Sequence, residues 1–217
     1  MRLAAPSKCS MPTITSQKGF TLIEGIVAIV IMGIAMVTLT SFLFPQAERS
    51  AIPHYQARSA AIGHAMLNEI LSRKFDSKSD PNGDSVVRCG EANPRTGDMV
   101  ACTPAKPEGS LGADDADNEL TDDGLLKITL ADDVDDFIGC WGTEAQCNNS
   151  SFPRIGELTD FIPGDDYQNI WAEVNVFYDN GFTGTDAGVT TDHKRISVHI
   201  RTTRYGDYEF IAYRSNY

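Results

Sequence analysis

The sequence predicts an α+β protein, a long N-terminal helix packed under a C-terminal antiparallel sheet, and three observations predict it. The first is an apolar run from Phe20 to Phe44, 25 residues in which Glu24 is the one ionisable side chain. The second is a helical apolar stripe that continues to about Phe75. The third is a set of alternating apolar runs after Trp171.

As a helix the first run would extend about 37 Å, enough to cross a hydrocarbon core of ~30 Å with some tilt. A carboxylate inside a bilayer costs on the order of 2.5 to 3.5 kcal/mol even on lenient insertion scales, so Glu24 calls for a functional partner. Residues 1–19 carry Arg2, Lys8 and Lys18 and no acid, which by the positive-inside tendency holds that end in the cytoplasm. A cleaved secretory signal fits poorly. The run is long, and it ends in Phe42-Leu43-Phe44-Pro45 without a small-x-small site.

The octapeptide Gln17-Lys18-Gly19-Phe20-Thr21-Leu22-Ile23-Glu24 opens this run. It resembles the N-terminus of type IV pilin and pseudopilin precursors, whose basic leader ends in Gly ahead of Phe-Thr-Leu-Ile-Glu. The resemblance implies that a prepilin peptidase cuts after Gly19, that the new N-terminal Phe20 is methylated, and that Glu24 pairs with an N-terminal amine in a growing filament. The partners it implies are other pilin subunits, met through the N-terminal helix, the peptidase, and an inner-membrane assembly platform. It further implies a pilin-like fold and a single-pass inner-membrane precursor with its head in the periplasm, later part of a surface pilus. The alternative for the N-terminus alone is an ordinary signal anchor with a stray Glu. Met1 and Met11 are both candidate starts, and Cys9 would be lost on cleavage from either.

On this reading residues 1–19 are a leader, 20–44 a transmembrane helix, 45–75 an amphipathic helix and 76–217 a globular head. Within the head, 76–170 reads as a loop-rich acidic insertion and 171–217 as the sheet. Tyr55, Ile62, Met66 and Ile70 form the helix stripe, flanked by Leu67, Leu71 and Phe75. Pro45 and Pro53 each remove a backbone donor, so the helix is expected to kink or loosen there. His54 and His64 lie ten residues apart, about 280° around a helix, and do not share a face.

The chain carries 18 basic and 30 acidic residues. Losing the three basic residues of the leader leaves 15 against 30, near −15, and this argues against nucleic acid as a partner, which needs a cationic face. Cys89, Cys102, Cys140 and Cys147 in a translocated domain suggest two disulfides. The favoured pairing is Cys89 with Cys102 and Cys140 with Cys147, because short loops cost least to close. Their C-x12-C and C-x6-C spacings do not suit a zinc module.

No catalytic motif and no cofactor motif stands out, so the expectation is a non-enzyme without a cofactor. Calcium is the one ligand left open. Asp80-Pro81-Asn82-Gly83-Asp84 with Glu91 has EF-hand spacing but puts Ser85 where Gly is needed. The acidic runs Asp114, Asp115, Asp117, Glu119, Asp122, Asp123 and Asp132, Asp133, Asp135, Asp136 are further oxygen donors, with solvated surface as the simpler reading. In the second run Val134 and Phe137 are spaced to bury one side of a short turn while the acids face water.

Alternation places strands at Trp171–Tyr178, Arg195–Thr203 and Tyr208–Tyr213, with a turn at Tyr205-Gly206-Asp207 and an edge strand at Leu125–Leu130. Arg195, His199 and Arg201 share the outward face of the middle strand, with Arg204 and Arg214 nearby. Such a patch meets a neighbouring acidic subunit, or is balanced locally. The familiar major pilins carry a disulfide-bounded loop near the C-terminus, and here no Cys follows Cys147. The segments Ser72-Arg73-Lys74-Phe75-Asp76, Asp132-Asp133-Val134-Asp135-Asp136-Phe137 and Ala212-Tyr213-Arg214-Ser215-Asn216-Tyr217 look like the D-type minor pilins of mannose-sensitive haemagglutinin (MSHA) pili. That resemblance implies a minor subunit of an adhesive filament. The alternative within the family is a minor pseudopilin of a type II secretion system, and a signal-anchored periplasmic binding or enzymatic domain is the distant one.

Overall fold

The computed structural model describes residues 19–79, 87–105, 111–113, 118–164 and 167–216. Two compact units divide the chain, Met1–Arg49 and Ser50–Tyr217. Helix α1 is assigned over Leu22–Leu71 and is unbroken through Pro45 and Pro53. The prolines at which a kink or loosening is expected thus do not interrupt the helix. Each proline removes a single donor, and eight residues separate them, so intact turns flank each lost bond.

In the first unit the apolar side chains of α1 lie exposed, Phe20 at 79% and Phe44 at 75%. An 18-residue window there has a mean hydropathy of 2.5 and no buried residue, so by length and composition the helix is able to cross a membrane. Its few hydroxyls bond back onto the helix. Thr38 donates to Ile34 O at 3.1 Å, Thr40 to Met36 O at 2.9 Å and Ser41 to Val37 O at 2.8 Å. The hydroxyl hydrogens of these three are thereby satisfied within the helix, as a helix crossing a membrane would require.

The second unit is built on a five-stranded sheet of order β2-β1-β3-β4-β5. The strands are β1 (Gly139–Trp141), β2 (Arg154–Gly156), β3 (Ile170–Tyr178), β4 (His193–Thr202) and β5 (Tyr208–Ser215). The long strands pair antiparallel in sequence order, Val174 opposite Val198 and Val198 opposite Phe210. β1 pairs antiparallel with β3, and β2 lies parallel to β1 at the edge. Both short strands fall inside the segment expected to be loop. Each has three residues, too few to show alternation, and each spends one of them on glycine.

Ile62, Met66 and Ile70 of α1 join Val174, Val176, Ile196, Val198 and Ile200 in one core. Phe137, Trp141 and Phe161 extend it as an aromatic cluster, with Trp141 and Phe161 centroids 4.6 Å apart. Gly206 takes φ +95° in the β4–β5 turn, a conformation that suits a residue without Cβ. Above the turn, Tyr205 stacks on Tyr55 of α1 at 4.1 Å. Leu125–Leu130 does not form the expected edge strand. Leu126 makes a lone bridge to Leu120 and donates its N–H to Ile155 O at 2.7 Å, so this turn covers β2 without extending the sheet.

Candidate processing and assembly site

Gly19 and Phe20 precede the helix in irregular backbone, both exposed. Thr21 is the last residue before α1, and its carbonyl accepts the N–H of Glu24 at 3.1 Å and of Gly25 at 3.2 Å. Glu24 therefore stands in the first turn, on an exposed side, where the positive end of the helix dipole favours a carboxylate. A peptidase would find Gly19 in an open chain with no Cβ to obstruct it. After cleavage the amine of Phe20 would lie one helical turn from the Glu24 side chain.

In the head, Cys89 is bonded to Cys102 and Cys140 to Cys147. The second disulfide ties β1 to the one-turn helix α2 (Glu144–Cys147). The first lies against Phe75 and Tyr178. Asn216 near the chain end donates Nδ2 to Cys89 O at 2.8 Å, and Ser79 Oγ donates to Asn216 Oδ1 at 3.2 Å.

Of the acids of 132–136, Asp132 is partly exposed and the other three do not face water. Asp133, Asp135 and Asp136 are 3%, 2% and 5% exposed. Their carboxylates accept nearby N–H groups: Asp133 from Ser77 at 2.8 Å and from Asp135 at 2.9 Å, Asp136 from Asp132 at 2.8 Å and from Asp133 at 3.0 Å. Asp135 opens a 3-10 turn, Asp135–Phe137, and bonds the ammonium of Lys194, a wholly buried lysine on β4. Asp76, also buried, lies 3.7 Å from the same nitrogen. Burial pushes the Asp133 carboxyl well above the usual carboxylate range, and neighbouring Asp135 adds to the effect. Burial likewise raises Asp136 to about 6, against the lowering effect of its two backbone hydrogen bonds. For Lys194, burial works against the charged form, but Asp135, Asp133 and Asp76 outweigh it and hold the ammonium above its ordinary value.

Sequence reasoning missed this centre because it began the strand at Arg195. Starting one residue earlier, strand parity puts Lys194 on the face of Ile196, Val198 and Ile200, which is the core face.

The outward basic residues are balanced within the sheet. Arg195 meets Glu209 at 3.1 Å and His199 meets the same carboxylate at 3.6 Å, while Arg201 holds Glu173 at 3.1 Å and Asp207 at 2.8 Å. Asp80, Asn82, Asp84, Asp114, Asp115 and Asp117 lie outside the described residues. Among those described, Glu119, Asp132 and Asp136 bring carboxylate oxygens within 4.8 Å of one another, with Lys74 on Asp132 at 2.6 Å.

Residues 14–40 match the family model of the prokaryotic N-terminal methylation motif, a stretch that includes Gly19, Phe20 and Glu24. No curated protein and no solved structure matches the chain significantly. With an exposed apolar helix behind that motif and a helix-on-sheet head after it, the chain carries the prepilin-type N-terminus of the type IV pilins and pseudopilins.

Proposed function

We propose that the chain is a minor pilin of an MSHA-type type IV pilus, cut by prepilin peptidase and assembled through α1 into a surface filament that serves adhesion. The observation that carries this reading is the methylation motif at residues 14–40, set on an exposed apolar helix whose first turn holds Glu24. Within the bilayer the helix is held by hydrophobic transfer, and the carboxylate selects the docking register because it is relieved by an incoming amine.

The head supports a minor role. Its two disulfides close loops upstream of β2, and the described parts of the segments that resemble the D-type minor pilins, 72–76, 132–137 and 212–216, meet around Lys194 and the Cys89–Cys102 disulfide. The role is structural, with no catalysis and no cofactor assigned to it. Shearing pili from intact cells and probing the fibres for this chain tests the reading. Its presence in sheared fibres is the expected result. Retention in the periplasm, with fibres that lack it, would transfer the chain to a secretion pseudopilus.

A further inference from the structure

The connection between β3 and β4 is fastened at its base and free at its crown. Asp179, the residue after β3, is wholly buried, and its carboxylate accepts the N–H of Thr183 at 2.9 Å, the Thr183 hydroxyl at 2.8 Å, the N–H of Gly184 at 2.6 Å and the Tyr213 hydroxyl at 3.2 Å. Ala187 closes the loop behind it, donating its N–H to Tyr178 O at 2.8 Å. Between these fastenings Asn180, Gly181 and Phe182 arch out, all three exposed. Gly181 and Phe182 take φ +76° and +61°, and the second is a strained value for a bulky residue. The Phe182 ring is held at 4.4 Å from His193 and 4.8 Å from Tyr213.

An asparagine followed by glycine carries its own electrophile and nucleophile, since the next backbone nitrogen can close a five-membered ring on the carboxamide carbon. Connection through the chain supplies the proximity. Two features of a fold normally hold the reaction back: a partner on that N–H, and crowding around the ring. Among the described residues neither the Asn180 carboxamide nor the Gly181 N–H has a hydrogen-bond partner. No heavy atom beyond the chain neighbours lies within 4 Å of the place a Gly181 Cβ would occupy. The crown is open to solvent and loses no hydrogen bond on closing the ring.

We propose that Asn180 and Gly181 form a self-modification site, at which the folded chain converts the asparagine into aspartate and isoaspartate with water as the co-reactant. Gly181 N gives its proton to water and attacks Asn180 Cγ. A C–N bond forms there, the bond to the carboxamide nitrogen breaks, and that nitrogen leaves as ammonia with a proton returned from water. The succinimide so formed is opened by a second water. Opening at Cγ gives aspartate. Opening at the backbone carbonyl gives isoaspartate, in which the chain runs through Cβ and Cγ. In net terms one water is consumed, one ammonia is released and no electrons change hands. The isoaspartyl chain carries an extra backbone carbon into the crown, and that slack releases Phe182 from its left-handed conformation, which favours this product. Either product places a new negative charge next to Asp179.

The test uses the full-length protein, kept folded in detergent and incubated in neutral buffer made with oxygen-18 water. A brief digestion at mildly acidic pH follows, and peptides are mapped by mass spectrometry with electron-transfer fragmentation, which tells isoaspartate from aspartate. The peptide spanning Asn180 should convert progressively to the acid, with one labelled solvent oxygen taken up and isoaspartate as the major form. The label separates conversion during incubation from conversion during digestion. The folded rate should lie within several-fold of that of a parallel sample unfolded in urea. Asn180→Gln keeps a side-chain amide but needs a larger ring, and it should lose at least most of the conversion. An Asn180 that stays intact in the folded sample overturns the proposal, whatever the unfolded sample does. Acid without isoaspartate, or equal conversion in Asn180→Gln, overturns the succinimide route. The wild-type peptide decides the matter whether or not the variant folds, and it does so independently of any role in a filament.

Discussion

Gly63 of α1 faces the ring of Phe210 on β5 so closely that a Cβ there would come within 2.6 Å of Cε2 and 2.8 Å of Cγ. The glycine is what lets the helix in the second unit settle on the outer part of the sheet. Gly63→Ala should gain about 1 kcal/mol of helix propensity. Overpacking against a ring costs about 1 to 3 kcal/mol and should win. Urea unfolding of the variant is expected to show a lower midpoint with an unchanged slope, and a raised midpoint would mean that β5 simply yields.

The disulfides close loops of 13 and 7 residues in sequence separation. On the chain-entropy model each contributes about 2 to 3 kcal/mol by restricting the unfolded state. Replacing either pair with alanines should lower unfolding stability by that amount. Peptide mapping without reductant is expected to show the same two links, and crossed links would contradict the pairing.

Asp136 sets a pH dependence whose sign follows from its raised carboxyl. Its folded value of about 6 exceeds the ordinary carboxylate value of 3.8, so between these limits the folded chain binds more protons than the unfolded one. Stability from this group is therefore full below the lower limit and is lost as pH rises through about 6, at a total cost of about 3 kcal/mol. Asp136→Asn keeps an oxygen for the N–H groups of Asp132 and Asp133 but carries no charge. Denaturation midpoints between pH 4 and 7 should fall less in the variant than in wild type, and identical slopes would remove Asp136 as the cause.

Periodicity made the long elements legible. Ala172, Val174, Val176 and Tyr178 on β3 alternate with partly exposed neighbours and lie buried as their parity demands, and the stripe of Ile62, Met66 and Ile70 finds the sheet. The methylation motif was legible because it is a contiguous string. β1 and β2 were hidden, since three-residue strands containing Gly139 and Gly156 carry no period. Those glycines have a packing reason instead: a Cβ at Gly156 would sit 2.6 Å from Trp141 Cε3. The acids at 133, 135 and 136 read as solvated because charge runs usually are. Their burial depends on Lys194, and nothing local in the sequence announces a partner that distant.

Glu24 should matter to assembly and leave the head untouched, since it belongs to the unit Met1–Arg49 while the core lies in Ser50–Tyr217. Glu24→Ala is expected to be cleaved, disulfide-bonded and stable in the inner membrane, yet depleted at least several-fold from sheared fibres at native expression. Wild-type abundance in those fibres would reduce Glu24 to a recognition feature for the peptidase.

The most direct measurement is the N-terminal peptide of the mature protein, isolated from membranes and sequenced by mass spectrometry. Its first residue should be N-methylated Phe20, with nothing retained from Gly19 or before. A mature chain that still carries Gly19, or one that begins elsewhere with an unmodified amine, would contradict membership of the processed filament subunits.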